Sequence, residues 1–143
     1  MELFTIVLLL LGASILVALG MGGWFAWQRR RARLATLPHL QVEPIGKKFY
    51  LTRSLQTLGR ASDCHIRIHA SLPGADTVSP HHARVLQRHG RWVVLDGTRD
   101  GMLSLNGITV NGKRTLANYL EDGDVITFGA LRCRFHLPSG ATR

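Results

Sequence analysis

The chain has 143 residues, 45% hydrophobic and 19% charged, which allows one ordinary domain plus a short extra segment and excludes a large multidomain enzyme. A mean hydropathy of +0.07 is too high for a disordered tail. Eighteen Lys and Arg against nine Asp and Glu leave a formal charge of +9, which first suggests a polyanionic partner.

That charge is unevenly spread. Arg29, Arg30, Arg31 and Arg33 form one cluster, and beyond residue 35 there are 14 Lys and Arg against eight Asp and Glu, a dispersed excess of +6. From Leu3 to Trp27 run 25 residues without a charge. As a helix they would reach roughly 37 Å, enough to cross a hydrocarbon core of about 30 Å. The expected organisation is a transmembrane helix over residues 1–27, a basic juxtamembrane linker over 28–36, a domain over 37–138 and a tail over 139–143. The only charge before the apolar run is Glu2, and the arginines follow it, so a retained anchor is expected rather than a cleaved signal peptide. The same asymmetry predicts a single-pass inner-membrane protein of a bacterium with its N-terminus outside and the rest in the cytoplasm, Trp24 and Trp27 lying at the headgroup boundary. Ser14, Ala18 and Gly22 recur every four residues, which suits helix-mediated homodimerisation. Small residues are also simply frequent in membrane spans, and both readings stay open.

After Pro38 the continuous apolar run gives way to alternation punctuated by Gly, Pro, Asn and Asp, the pattern of short strands. Ile66 and Ile68 are expected inward, with His65, Arg67 and His69 in solvent rather than on a metal. Ala83 to Gln87 and Trp92 to Leu95 flank Arg88-His89-Gly90-Arg91 and read as a hairpin, Gly90 accepting the positive φ of a tight turn. Leu116 to Glu121 is expected as a turn of helix. Asp124 to Phe128 and Ala130 to Leu137 predict a second hairpin around Gly129, with Leu131, Cys133, Phe135 and Leu137 on the buried face. The fold class expected is therefore all-β, an antiparallel sandwich preceded by the N-terminal transmembrane helix. Cys64 and Cys133 form no disulfide framework and lack zinc-site spacing, so both are expected as reduced core residues, with no metal or cofactor.

Three connections stand out: Gly59-Arg60, Ser79-Pro80-His81-His82, and Ser104-Leu105-Asn106-Gly107 followed by Val110-Asn111-Gly112. With the closing Leu120-Glu121-Asp122-Gly123-Asp124 and Phe128-Gly129, this ordered set from about Phe49 to Phe135 resembles the forkhead-associated (FHA) family. The resemblance implies an eleven-stranded β-sandwich whose loops at one end bind phosphothreonine in a partner protein, a substrate of a Ser/Thr kinase. It also implies a binding rim of Arg60, Ser79, Pro80, His81, Ser104, Leu105 and Asn106, with Gly59, His82, Gly107 and Asn111 as structural support. The residue chemistry is compatible: a phosphate of charge about −1.5 to −2 suits a guanidinium fork at Arg60 and a short hydroxyl donor at Ser79. Asn106 offers both donor and acceptor to a peptide backbone.

Taken singly, Arg60 is also readable as a solvated loop arginine, and Asn106 and Asn111 as turn formers. Pro80 and Leu105 depart from the polar residues frequent at those positions. Competing functions are a phosphate-independent FHA interaction scaffold and a basic module for nucleic acid or anionic lipid. The last has charge but little interleaved aromatic stacking, so nucleic acid is not the expected partner. His81, His82, Asp96 and Asp100 supply acid and base groups, yet their spacing fits no nucleophile elbow, metal motif or nucleotide loop, and no enzyme is expected.

Overall fold

The computed structural model describes residues 20–138, and the chain divides into two compact units, Met1–Thr36 and Leu37–Arg143. In the first unit residues 20–35 are helical, so the stretch expected as a linker is helical nearly to its end. Arg, Ala, Leu and Gln are good helix formers, and nothing breaks the helix before Pro38. The Thr36 hydroxyl donates to the Arg33 carbonyl (2.7 Å) and closes the last turn. Residues 3–19 of the expected membrane span, like the tail over 139–143, lie outside the described residues. Among those described, no helix is long and apolar enough to cross a membrane.

Among the described residues the second unit contains eleven strands in two sheets. The strands are β1 (His39–Val42), β2 (Lys48–Tyr50), β3 (Leu55–Gly59), β4 (Ile66–Arg67), β5 (Ala83–Arg88), β6 (Arg91–Asp96), β7 (Ile108–Val110), β8 (Lys113–Thr115), β9 (Ala117–Leu120), β10 (Val125–Phe128) and β11 (Leu131–His136). One sheet runs β2-β1-β11-β10-β7-β8 and the other β4-β3-β5-β6-β9. Alternation puts Leu131, Cys133 and Phe135 fully in the core, joined by Leu40, Leu58, Val85, Ile126 and Phe128, while Arg132 and Arg134 face out. Every residue of that core belongs to this unit, which supplies its own hydrophobic interior. The β5–β6 hairpin turns on His89 (φ 51) and Gly90 (φ 76), the two successive positive φ values of a type I′ turn.

Two expectations are corrected. Leu116 to Glu121 is not helical: β9 pairs antiparallel with β6, Trp92 opposite Leu120 and Leu95 opposite Ala117. The open edge of β6 recruits a segment whose local sequence leaves helix and strand nearly balanced. The sandwich is also not wholly antiparallel, since β3 and β4 pair in parallel at Leu58–Ile66 and Gly59–Arg67. Alternation specifies which face a strand buries, and Ile66 and Ile68 are indeed buried, but it carries no information about direction.

On the outer face of the six-stranded sheet, Glu43 accepts from Arg132 Nε (2.7 Å) and Arg134 Nε (2.8 Å), one arginine per carboxylate oxygen. The Arg132 hydrogen bond, then that of Arg134, holds the Glu43 carboxyl below the ordinary glutamate range. A depressed carboxyl contributes stability above its unfolded titration and loses it as pH falls through the folded one. Glu43→Gln is therefore expected to lower the urea midpoint at neutral pH, with the difference from wild type closing below about pH 4. Urea melts of both proteins across that range check it.

Candidate functional site

The loops that follow β3, precede β5 and join β6 to β7 meet at one end of the sandwich, because β3 and β5 are paired neighbours and β6 lies beside β5. Gly59 makes the first contact: a Cβ there would stand 2.0 Å from the Pro80 carbonyl oxygen, so only glycine lets these two backbones approach. The Arg60 N–H then donates to Ser79 O (3.2 Å) and the Ala61 N–H to Pro80 O (2.9 Å). This short backbone ladder puts Arg60 beside Ser79. The Arg60 side chain is exposed and its Nε donates to the Val78 carbonyl. Its terminal nitrogens have no partner among the described residues, so the guanidinium is held at one corner with its other donors free.

Ser79 and Asn106 are brought to the same place. Ser79 Oγ accepts the Leu105 N–H (3.0 Å), which leaves the hydroxyl proton unspent. Asn106 Nδ2 donates to Thr77 O (2.6 Å), which leaves its amide oxygen as an acceptor. Leu105 is 86% exposed beside them. Beneath, His82 is fully buried, its Nδ1 accepting the Ser79 N–H (2.9 Å) and its Nε2–H donating to Gly107 O (3.0 Å). Those two bonds fix the neutral tautomer. Burial lowers the His82 pKa, overriding the raising effects of the Gly107 bond and the nearby Asp96 charge.

The other expected site residues fall elsewhere. Ser104 is buried, its hydroxyl donating to Asp96 Oδ1 (2.5 Å) and accepting from the Gly107 N–H (2.9 Å), so it sits under the rim and shapes the loop. Pro80 is exposed but contributes its carbonyl to the ladder. His81 turns toward the loop after β3, its Nε2 3.6 Å from Asp63 and its Nδ1 3.6 Å from Cys64 Sγ. Asn111 lies at the opposite end of β7 from Gly107, where it joins that turn to β10 by donating to Asp124 (2.8 Å) and accepting from the Val125 N–H (2.9 Å).

Thr77 and Val78 were not singled out by sequence, and Asp96 was named only among the acid and base groups. The first two act on Asn106 and Arg60 through backbone carbonyls, which leave no side-chain signature, and Asp96 reads as an ordinary strand end. Of the acid and base groups, His82 and Asp96 are buried and committed to the loops. A cavity of about 800 Å³ is lined by Leu51, Gln87, Trp92, Leu120 and Leu137 and by none of the rim residues. A charged group gripped at an exposed rim needs donors rather than volume.

The family profile of the FHA domain matches residues 56–129. No curated protein matches the chain. The crystal structure of the Slr1951 protein from Synechocystis sp. is similar, with 26% identity and a TM-score of 0.58 over 70% of this chain and 95% of that one. A domain solved in a structural and functional analysis of phosphothreonine-dependent FHA domain interactions has 25% identity and a TM-score of 0.58, over 71% and 97% of the two chains. EmbR of Mycobacterium tuberculosis, solved in complex with a low-affinity phosphopeptide, shares the fold at 24% identity and a TM-score of 0.60. That match covers 82% of this chain and 30% of EmbR.

Proposed function

The chain belongs to the FHA domain family, and from that premise we propose that it is a phosphothreonine-peptide-binding adaptor that recruits a kinase substrate to the cytoplasmic face of the inner membrane. The observation that carries the binding half is the pairing of donors partly unspent among the described residues: a guanidinium tethered there at Nε and, on the adjoining backbone, a Ser79 hydroxyl that accepts from Leu105 N–H and keeps its proton to donate. A phosphate offers three acceptor oxygens to such a set. The free Asn106 amide oxygen suits an N–H of the peptide backbone. The similar domain at 25% identity was solved in an analysis of phosphothreonine-dependent FHA domain interactions, which supports the same reading.

The membrane half rests on the uncharged run from Leu3 to Trp27 and the arginines after it. Anchoring would confine the adaptor to a surface and raise the local concentration of its partner there. A C-terminal reporter active only in the cytoplasm is expected; activity of a periplasmic reporter at that position would reverse the orientation.

Titration of residues 37–143 with a degenerate phosphothreonine peptide library and its unphosphorylated twin tests the binding half, and only the phosphorylated pool is expected to bind. Ser79→Ala removes one hydrogen bond to a charged group, about 1.5–3 kcal/mol, so it is expected to weaken phosphopeptide binding by about tenfold or more. Equal binding of both pools would assign the domain instead to a phosphate-independent scaffold using the exposed Met102, Leu103 and Leu105. Binding to DNA or anionic vesicles with steep salt dependence would indicate the basic-surface function.

A further inference from the structure

The loop after β3 and the segment before β5 carry a second cluster of side chains. The Cys64 N–H donates to the Ala61 carbonyl (3.2 Å), and that turn delivers the Cys64 thiol to the Pro80 backbone, where Sγ donates to Pro80 O (3.3 Å). His81 follows Pro80, so its ring comes to rest over the same turn. Its Nδ1 is 3.6 Å from Cys64 Sγ, and its Nε2 is 3.6 Å from Asp63 Oδ1. One ligating atom from each of the three side chains lies within 4.8 Å of the others.

The sulfur–nitrogen separation matches a metal's requirements. With zinc–sulfur and zinc–nitrogen bonds of about 2.3 and 2.0–2.1 Å, two corners of a tetrahedron are about 3.5–3.6 Å apart. The Cys64–His81 separation is therefore already that of two ligands on one ion. The Asp63 and His81 side chains are 72% and 46% exposed, so the carboxylate is free to swing from the Nε2 side toward the ion and solvent has access. Cys64 is nearly buried and held by its turn, which gives the site a fixed corner.

We propose that Cys64 Sγ, His81 Nδ1 and the Asp63 carboxylate bind a borderline-soft divalent cation of the zinc class, with water as the fourth ligand. Mixed sulfur, nitrogen and oxygen donors favour zinc or cobalt over magnesium or calcium, which take oxygen ligands. On ligation the thiol releases its proton to solvent and gives up its bond to Pro80 O, and the sulfur binds as thiolate. The ion then joins residues 63–64 to residue 81, a link across the two segments that also carry Arg60 and Ser79. Binding there stiffens the rim whatever ligand the rim takes, so the site does not rest on the phosphothreonine reading. Spacing along the sequence concealed it, because Cys64 and His81 are 17 residues apart and meet only through the Gly59–Pro80 approach.

The test is cobalt(II) added to the reduced full chain, followed by optical spectroscopy and displacement with zinc. A thiolate-to-cobalt charge-transfer band with tetrahedral ligand-field bands, saturating at one ion per chain and lost on zinc addition, is expected. Cys64→Ser and Cys64→Ala should both remove the charge-transfer band, and His81→Ala and Asp63→Asn should each weaken binding by roughly tenfold or more. Cys133→Ser, and the double change of His65 and His69 to alanine, should leave the titration unchanged. Absence of the band, a band that survives loss of Cys64, or a band that depends on Cys133 or on His65 and His69 would overturn the proposal.

Discussion

Arg60→Ala is expected to lower affinity for a phosphothreonine peptide by about 100-fold or more, to the level of the unphosphorylated twin. Two charge-assisted hydrogen bonds from one guanidinium are each worth about 1.5–3 kcal/mol, and every 1.4 kcal/mol is tenfold in the dissociation constant. Stability should hardly change, because the side chain is exposed and its one internal bond is to the Val78 carbonyl. Arg60→Lys separates charge from geometry. An ammonium keeps the attraction but lacks the planar fork that lets one nitrogen stay on Val78 while others engage phosphate, so it should recover only part of the loss. Fluorescence anisotropy of residues 37–143 with phosphorylated and unphosphorylated peptides reads all three proteins. Unchanged discrimination in the alanine variant would remove the phosphate-reading role from this end of the sandwich.

Much of the frame was legible because alternation and turn chemistry are local. Leu131, Cys133 and Phe135 are in the core as their spacing requires, and Gly90 turns a hairpin with positive φ. What escaped depended on the third dimension. The short parallel bridge between Leu58 and Ile66 follows from where the loop returns, and β9 follows from the unpaired edge of β6. At the rim, Arg60, Ser79 and Asn106 were legible as side chains with suitable chemistry. Their holders, the carbonyls of Val78 and Thr77, belong to residues whose side chains say nothing of the role. Ser104 was misplaced for a related reason: its neighbours Leu105 and Asn106 are exposed, but its hydroxyl turns inward to Asp96.

The largest expected effect on the fold is at His82. His82→Ala opens a cavity, leaves the Ser79 N–H without its acceptor and takes one of two donors from the Gly107 carbonyl, which keeps the Gly129 N–H at 3.1 Å. Cavity and orphaned donor together are worth about 2–4 kcal/mol, read as a lowered urea midpoint. His82→Phe fills the volume but restores neither hydrogen bond, so it should recover part of the loss. Acid supplies an independent check. Protonating Nδ1 would turn the acceptor of the Ser79 N–H into a donor facing a donor, and burial holds the His82 pKa below the ordinary 6.5. As pH falls below about 6.5 the unfolded chain takes up a proton that the folded one refuses. The stability His82 confers is therefore present above that pH and is lost as pH falls toward the folded pKa. Burial lowers the His39 pKa too, so the diagnostic quantity is the difference between wild type and His82→Phe. That difference should shrink between pH 7 and pH 5; if it stays constant, His82 does not hold the Ser79 backbone as a neutral acceptor.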